Sequence, residues 1–168
     1  MTIMDYNQMP AEEKKVNLLK CCGSTTWVNK MLEVPPSEDM IDLFQNAEQC
    51  WNECSEEDWK EAFNRHPQIG NPGNGGTENQ SNDWASNEQA KVKDASQDIK
   101  QQLAEANQQY KEKFGYIFII NATGKSAEAM LAQLMVRLQN SPEAEIEIAM
   151  AEQMGITRIR LEKLLQEG

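Results

Sequence analysis

The chain has 168 residues, enough for a buried core, and we predict one domain over residues 1–168. Its 39% hydrophobic and 26% charged residues are typical of a soluble globular protein rather than a disordered one. The formal net charge of −11 argues against binding to nucleic acid, because phosphates require clustered Lys and Arg. No signal-peptide pattern opens the chain, and no apolar run approaches the roughly 20 residues of a membrane span. We therefore expect a cytoplasmic protein without a membrane partner.

Four cysteines and a single histidine limit the metal chemistry that the chain can support. Cys21 and Cys22 are adjacent, and Cys50 and Cys54 share one helical face, but a zinc site would need further Cys or His ligands. We predict reduced thiols packed in a helical core, with no metal and no cofactor.

The first half of the chain predicts four helices. The first spans residues 10–21, with Pro10 in its first turn and Gly23 after its end. The others begin at serine N-caps, and the last of them must end near His66 because Pro67 disfavours helical geometry in the residue before it. The predicted N-caps are Ser24, Ser37 and Ser55. The residues predicted to form the apolar faces are Val16, Leu18, Leu19, Trp27, Val28, Met31, Met40, Ile41, Phe44, Ala47, Trp51, Trp59, Ala62 and Phe63.

The second half predicts a long helix over residues 86–113 and two later helices, one over 126–139 with Ser126 as its N-cap and one after Ser141, which is its N-cap. Gly155 is expected to weaken or break the last one. Residues 114–121 have strand propensity but no second strand to pair with, so we interpret them as a buried extended connector. The fold class predicted is an all-α, single-domain helical bundle with one long Gly/Asn-rich loop and this short connector. The later residues predicted to face inward are Met130, Leu131, Leu134, Met135, Leu138, Ile146, Ile148, Ala149 and Met154.

The long loop over residues 65–89 is the only extended break in the helical pattern. Loops of more than about a dozen residues are uncommon in compact domains and are often functional. His66 lies at one end of this loop, next to Pro67, and Glu88 and Gln89 lie at the other end, in the first turn of the next helix. The ordinary alternatives remain open: a helix-end histidine bonded to carbonyl groups, and a glutamate that caps its helix. The functional interpretation is an acid–base site for a small polar anion, at a helix N-terminus suited to negative charge.

Three late arginines could supply positive charge, although an ordinary surface salt bridge is the favoured interpretation for any one of them. They are Arg137, Arg158 and Arg160. Because Arg158 and Arg160 are two residues apart on a helix, they point to different sides, and at most one should face the core or a site. The chain has no nucleophile elbow, P-loop or dinucleotide fingerprint.

Several motifs together resemble the 2-oxo-4-hydroxy-4-carboxy-5-ureidoimidazoline (OHCU) decarboxylases of urate breakdown. They occur in family order over nearly the whole chain: Leu19-x-Cys21-Cys22-Gly23-Ser24 with Trp27, Asp58-Trp59 with Ala62-Phe63, His66-Pro67-x-Ile69-Gly70, Trp84 with Glu88-Gln89, Tyr110-x-x-Lys113-Phe114-Gly115 with Phe118-Ile119-Ile120, and Ile156-Thr157 with Arg160-Leu161. The His-Pro-x-Ile-Gly motif and the Glu-Gln pair are specific in combination. Each motif alone would be weak.

The resemblance implies an all-helical fold, usually a homodimer, and a cofactor-free carboxy-lyase that forms (S)-allantoin. His66, Glu88 and Arg160 fall on the family's main catalytic positions. The positions implied to bind the small anionic substrate are Pro67, Ser86, Gln89, Ile119 and Ile120. The family commonly has Ser three residues before the Glu, where this chain has Ala85, with Ser86 next to it. This departure keeps open a relative that acts on another ureido-imidazoline acid; a non-catalytic, acidic helical interaction module is the alternative from a different class.

Overall fold

The computed structural model describes residues 1–66 and 96–166, and within these ranges the fold is all-α, as predicted. The described residues contain helices but no strands. The helices are α1 (Ile3–Gln8), α2 (Ala11–Cys21), α3 (Thr25–Glu33), α4 (Met40–Asn52), α5 (Glu56–Asn64), α6 (Gln97–Phe114), α7 (Ala127–Arg137) and α8 (Pro142–Gln166).

The chain divides into two compact units. The first comprises Met1–Ala62 and Met154–Gly168, and the second comprises Phe63–Gln153. In the first unit, Trp27 is fully buried and its indole N–H donates to the Ala47 carbonyl oxygen at 3.0 Å. In the second, α6 packs against α7, and Leu103 on α6 and Met130 and Leu134 on α7 are fully buried. The single domain over 1–168 stays a prediction.

Serine N-caps account for several helix starts, as the sequence predicts. The hydroxyl of Ser24 accepts from the Trp27 amide at 3.2 Å, and that of Ser126 accepts from the Ala129 amide at 3.1 Å. Ser141 caps α8 through the Ala144 amide at 3.2 Å. Each bond satisfies one of the amides that a helix start leaves without an intrahelical partner.

Three helix starts differ from the prediction. The N-cap of α4 is Asp39, not Ser37, because the Asp39 carboxylate accepts from the Asp42 amide at 2.8 Å. Pro10 is the N-cap of α2 and lies outside its first turn. The short helix α1 was not predicted; Thr2 and Asp5 form a capping box at its start.

The predicted helix over 86–113 is not continuous at Ser96, the first residue of this stretch that the structure describes. This residue has an extended backbone, and its hydroxyl caps a helix that begins at Gln97 by accepting from the Ile99 amide. Periodicity alone predicted continuity here because neither Pro nor Gly interrupts the pattern. The opposite error occurs at Gly155, where α8 continues without a break. A single helical glycine costs only about 1 kcal/mol relative to alanine, which the packing of a long helix can offset.

Four residues predicted to face inward are exposed. Val16 on α2, Ile41 on α4, and Met135 and Ile148 in the second half are 50%, 65%, 49% and 38% exposed. Each lies one or two residues from a buried apolar residue (Leu18, Leu43, Leu134 and Ala149, respectively), so the buried faces of these helices are narrower than predicted.

The extended connector is confirmed. Residues 117–120 have no regular secondary structure, yet Ile117, Phe118, Ile119 and Ile120 are all buried. Gly115, with a φ of 85°, ends α6 in the left-handed conformation that glycine adopts without strain, and this turn leads into the connector. The Phe118 ring then packs against Tyr110 of α6 at a centroid distance of 5.4 Å.

All four cysteines are free thiols in the core, as predicted. Burial raises the pKa of Cys21 and Cys22 to about 12 and that of Cys54 to about 11, because the apolar interior disfavours thiolate. These raised values keep the thiols neutral in the folded state. Their contribution to stability is complete below the unfolded thiol pKa of about 8.5, and it is lost as the pH rises towards the folded values.

We therefore expect the thiols of the folded protein to react with a thiol-specific disulfide reagent far more slowly than those of the unfolded chain at about pH 8. Absorbance at this pH should show a slow phase in buffer and rapid release equivalent to all four thiols in guanidinium. A thiol that reacts in the folded protein as fast as free cysteine would contradict this burial.

Candidate functional site

His66 is mounted just beyond the end of α5. Its backbone N–H donates to the Phe63 carbonyl oxygen at 3.2 Å, which continues the last helical turn by one bond. The imidazole is half-buried, and its Nε2 lies 2.7 Å from Oε1 of Gln153 on α8. Gln153 is fully buried. The sequence predicted the position of His66 at a helix end, but it gave no signal for Gln153, which is 87 residues away.

Arg160 belongs to the first unit and is the buried member of the Arg158–Arg160 pair. It is 5% exposed, and its Nη1 donates to the Lys20 carbonyl oxygen at 3.3 Å, near the C-terminus of α2. Helix C-termini carry partial negative charge, which stabilises a guanidinium. Arg158 is exposed and lies over the Phe44 ring at 4.9 Å. The prediction that at most one of the two faces the core is confirmed.

The backbone of the connector is fixed by side chains from other elements. The Ile119 carbonyl oxygen accepts from Nη1 of Arg137 at 2.8 Å, and the Asn121 amide donates to Oε1 of Glu152 at 3.1 Å. These bonds satisfy two backbone groups that a partner strand would otherwise pair. Ile119 and Ile120, the two predicted substrate-binding positions of this segment, are therefore held in one conformation by side-chain bonds rather than by a sheet.

Arg137 is the centre of a buried polar cluster, so the prediction of an ordinary surface salt bridge is wrong for it. Its Nε lies 2.8 Å and its Nη2 lies 2.7 Å from Oε2 of Glu145, which is itself fully buried. The Tyr110 hydroxyl also donates to this carboxylate, and Asn140 donates to its other oxygen at 3.0 Å. The Arg137 guanidinium lies 4.5 Å from the centroid of the Phe118 ring. One ion pair thus joins α6, α7, α8 and the connector.

The pKa of Tyr110 lies well above its usual range. Burial is the main cause, and the hydrogen bond that the hydroxyl donates to Glu145 adds to it, since both favour the neutral phenol. The sequence alone did not reveal this bond. A buried polar partner is not visible in helical periodicity.

The remaining predicted site residues lie outside the described ranges. They are Pro67, Ser86, Glu88 and Gln89, together with Ala85 and the loop 71–83. His66 and Arg160 fall in different compact units, so their roles in a common site stay a prediction. Across residues 1–66 and 96–166, no group of three or more His, Cys, Asp or Glu side chains could hold a metal ion. None of the helices in this part of the chain is long and apolar enough to cross a membrane.

Comparison with known protein families gives a match to OHCU decarboxylase over residues 7–162. The chain belongs to the OHCU decarboxylase family. Among curated relatives, it is 37% identical over 148 residues to the uric acid degradation bifunctional protein TTL of Arabidopsis thaliana, covering 88% of this chain and 46% of that protein. It is 26% identical to the uric acid degradation bifunctional protein of Bacillus sp. (strain TB-90), covering 100% of this chain and 33% of the relative. The chain thus spans less than half the length of these relatives.

A solved OHCU decarboxylase, crystallised in the presence of (S)-allantoin, has the same fold. The TM-score is 0.76 at 38% identity, over 89% of this chain and 98% of that one. An (S)-allantoin synthase structure matches with a TM-score of 0.72 at 18% identity, covering 97% of this chain and 54% of its own, and this supports the fold alone. The all-α class and the family resemblance inferred from the sequence are both confirmed.

We expect Arg137→Met to lower the free energy of unfolding by about 3–5 kcal/mol, because it leaves the Glu145 carboxylate buried without its cation. Guanidinium titration at neutral pH measures this change. The double variant Arg137→Met/Glu145→Met should recover much of the loss, since it buries no uncompensated charge. A single variant as stable as the wild type, or a double variant that shows no recovery, would contradict a coupled buried pair.

Proposed function

We propose that this protein decarboxylates OHCU to (S)-allantoin in urate degradation, without a cofactor. The observation that carries the proposal is the His-Pro-x-Ile-Gly motif in a chain of the OHCU decarboxylase family, whose histidine is held half-buried at a helix end. A carboxy-lyase of this kind needs a rigidly mounted acid–base group, and His66 has that mounting.

The substrate supplies its own electron sink. When the bond from C4 to the carboxylate carbon breaks, carbon dioxide leaves and its electron pair forms a double bond between C4 and C5. The electrons of the former C5=N bond move to the ring nitrogen, which takes up a proton. A proton then adds to one face of C5, and the C4 hydroxyl loses its proton to become a carbonyl. The protein has to orient the carboxylate, stabilise developing negative charge and control one face of C5.

The roles of the side chains follow from their chemistry. We assign His66 to the carboxylate and the C4 hydroxyl, as an acid–base or orienting group. Glu88 would hold the ureido or hydroxyl donors and relay a proton, and Arg160 would stabilise the anion through its fork of N–H donors. Gln89 offers both a donor and an acceptor to an amide-rich ligand. The other positions proposed to contact the substrate are Pro67, Ser86, Ile119 and Ile120.

The proposal also covers the domain organisation, the oligomeric state and the cellular location of the enzyme. We infer a single decarboxylase domain over residues 1–168, a homodimer and a cytoplasmic location, all implied by the family resemblance and the composition. A small anionic substrate would approach a protein of net charge −11, so the positive charge of Arg160 has to act locally, inside a repelling overall field.

Ala85 is the residue that supports a second candidate substrate, another ureido-imidazoline acid. A missing hydroxyl at this position removes one hydrogen bond to the substrate unless Ser86 supplies it, and a lost hydrogen bond alters the discrimination between related ligands. Comparing kcat/KM for OHCU with that for other ureido-imidazoline acids, in the wild type and in Ala85→Ser, separates the two substrate assignments.

We expect His66→Ala and Glu88→Ala each to lower kcat/KM for OHCU by roughly two to four powers of ten, the usual scale for loss of an acid–base group. OHCU is generated freshly from urate, its decay is followed spectroscopically, and the chirality of the allantoin is measured by circular dichroism. Folded His66→Ala protein with the wild-type rate would overturn the assignment. A wild-type protein that leaves the spontaneous decay of OHCU unaltered would favour the acidic interaction module.

Arg160 and Arg158 form a matched pair for testing the source of positive charge. Arg160→Met should lower kcat/KM by about 100-fold or more, because a buried cation aimed at an anion contributes several kcal/mol to its stabilisation. Arg158→Met removes the same charge from an exposed position and should stay within about 3-fold of the wild type, since exposed charges are screened. Equal effects of the two substitutions would show that only the overall charge matters.

A further inference from the structure

Gln153 forms a short hydrogen bond to the only histidine of the chain. The Gln153 side chain is fully buried on α8, and its Oε1 lies 2.7 Å from Nε2 of His66. Leaving a buried amide without hydrogen bonds is costly, so a glutamine at such a position is retained for its partners. The His66 ring therefore has a fixed support on one side.

The identity of the two atoms determines where the imidazole carries its proton. An amide oxygen only accepts hydrogen bonds, so Nε2 must be the donor and must carry a hydrogen. In the neutral ring this places the lone pair on Nδ1. A neutral amide also orients the ring without adding the negative charge that a carboxylate partner would bring.

We propose that Gln153 is a positioning residue for His66, which fixes the imidazole as the Nε2–H form and assigns acid–base exchange with the substrate to Nδ1. The tautomer follows from the contact between the two side chains alone. The catalytic consequence rests on the proposed function, in which His66 acts on the carboxylate and the C4 hydroxyl.

The same stretch of α8 fixes a second part of the proposed site. Glu152, next to Gln153, accepts from the Asn121 amide at the end of the connector. Two adjacent residues of α8 therefore hold the two parts: the Gln153 amide oxygen bonds to the His66 ring, and the Glu152 carboxylate bonds to the connector backbone. Both contacts lie within the second compact unit.

The single histidine makes the proposal directly measurable. Protein labelled with ¹⁵N and carrying no histidine tag gives one imidazole spin system. At a pH about 2 units above the ordinary histidine pKa of about 6.5, we expect a downfield ring N–H resonance assigned to Nε2 in the wild type. A neutral wild-type ring with its proton on Nδ1 would overturn the proposal, because the amide would then present its NH₂ group to the ring.

Two substitutions separate positioning from simple packing. Gln153→Leu removes the acceptor, so the Nε2–H resonance should be lost to exchange with water. We expect kcat to fall about 10–100-fold, with a much smaller change in KM. The same loss is typical when a partner that orients a metal-binding imidazole is removed. Gln153→Glu retains an oxygen acceptor of nearly the same shape, and it should keep the resonance and a kcat within about 10-fold of the wild type.

The control is Gln166→Leu, an exposed glutamine on the same helix, which should change neither the spectrum nor kcat. Thermal unfolding establishes that each variant is folded. Retained kcat in folded Gln153→Leu, or equal losses in Gln153→Leu and Gln153→Glu, would overturn the positioning role. Absence of any activity of the wild type on OHCU would overturn the proposed function instead, and the spectra would still test the tautomer.

Discussion

The buried pair of Arg137 and Glu145 is the interaction on which the second unit depends most. Taking two charges into the interior costs several kcal/mol per ion, and their attraction offsets this only when the remaining donors and acceptors are also satisfied. Here Tyr110 and Asn140 complete the carboxylate, and the Ile119 carbonyl oxygen accepts from the guanidinium. The arrangement has little tolerance for displacement, because moving either charged side chain leaves the other one buried without its counter-charge.

This constraint explains how an all-helical protein holds an extended segment in its core. Strand-like residues normally satisfy their backbone groups in a sheet, and the described residues of this chain contain none. The connector uses two side chains instead, Arg137 at the Ile119 carbonyl and Glu152 at the Asn121 amide. Side-chain bonds from two helices leave the course of the backbone fixed without a neighbouring strand.

Local signals in the sequence predicted the helices well and the contacts between them poorly. Ser24, Ser126 and Ser141 were correctly identified as N-caps because the capping bond spans only three residues. The helix start at Ser96 was missed because the apolar period continues through this serine without a break. The break expected at Gly155 was wrong because the cost of one helical glycine is small beside the packing energy of a 25-residue helix. His66 was found from its unique place before Pro67. Gln153 and Glu145 could not be found, because a buried polar residue is recognisable only by a partner distant in sequence.

The three late arginines show how structure assigns roles that composition cannot. All three looked alike in sequence, yet Arg137 is matched by a buried carboxylate and serves the architecture, while Arg158 covers an aromatic ring at the surface. Arg160 is as buried as Arg137, but its Nη1 donates to the Lys20 carbonyl oxygen near the C-terminus of α2. A helix C-terminus carries partial negative charge, so this bond stabilises and orients the guanidinium without neutralising its positive charge. The anion-stabilising role proposed for Arg160 agrees with this arrangement, because an exposed guanidinium such as that of Arg158 is screened by water and salt.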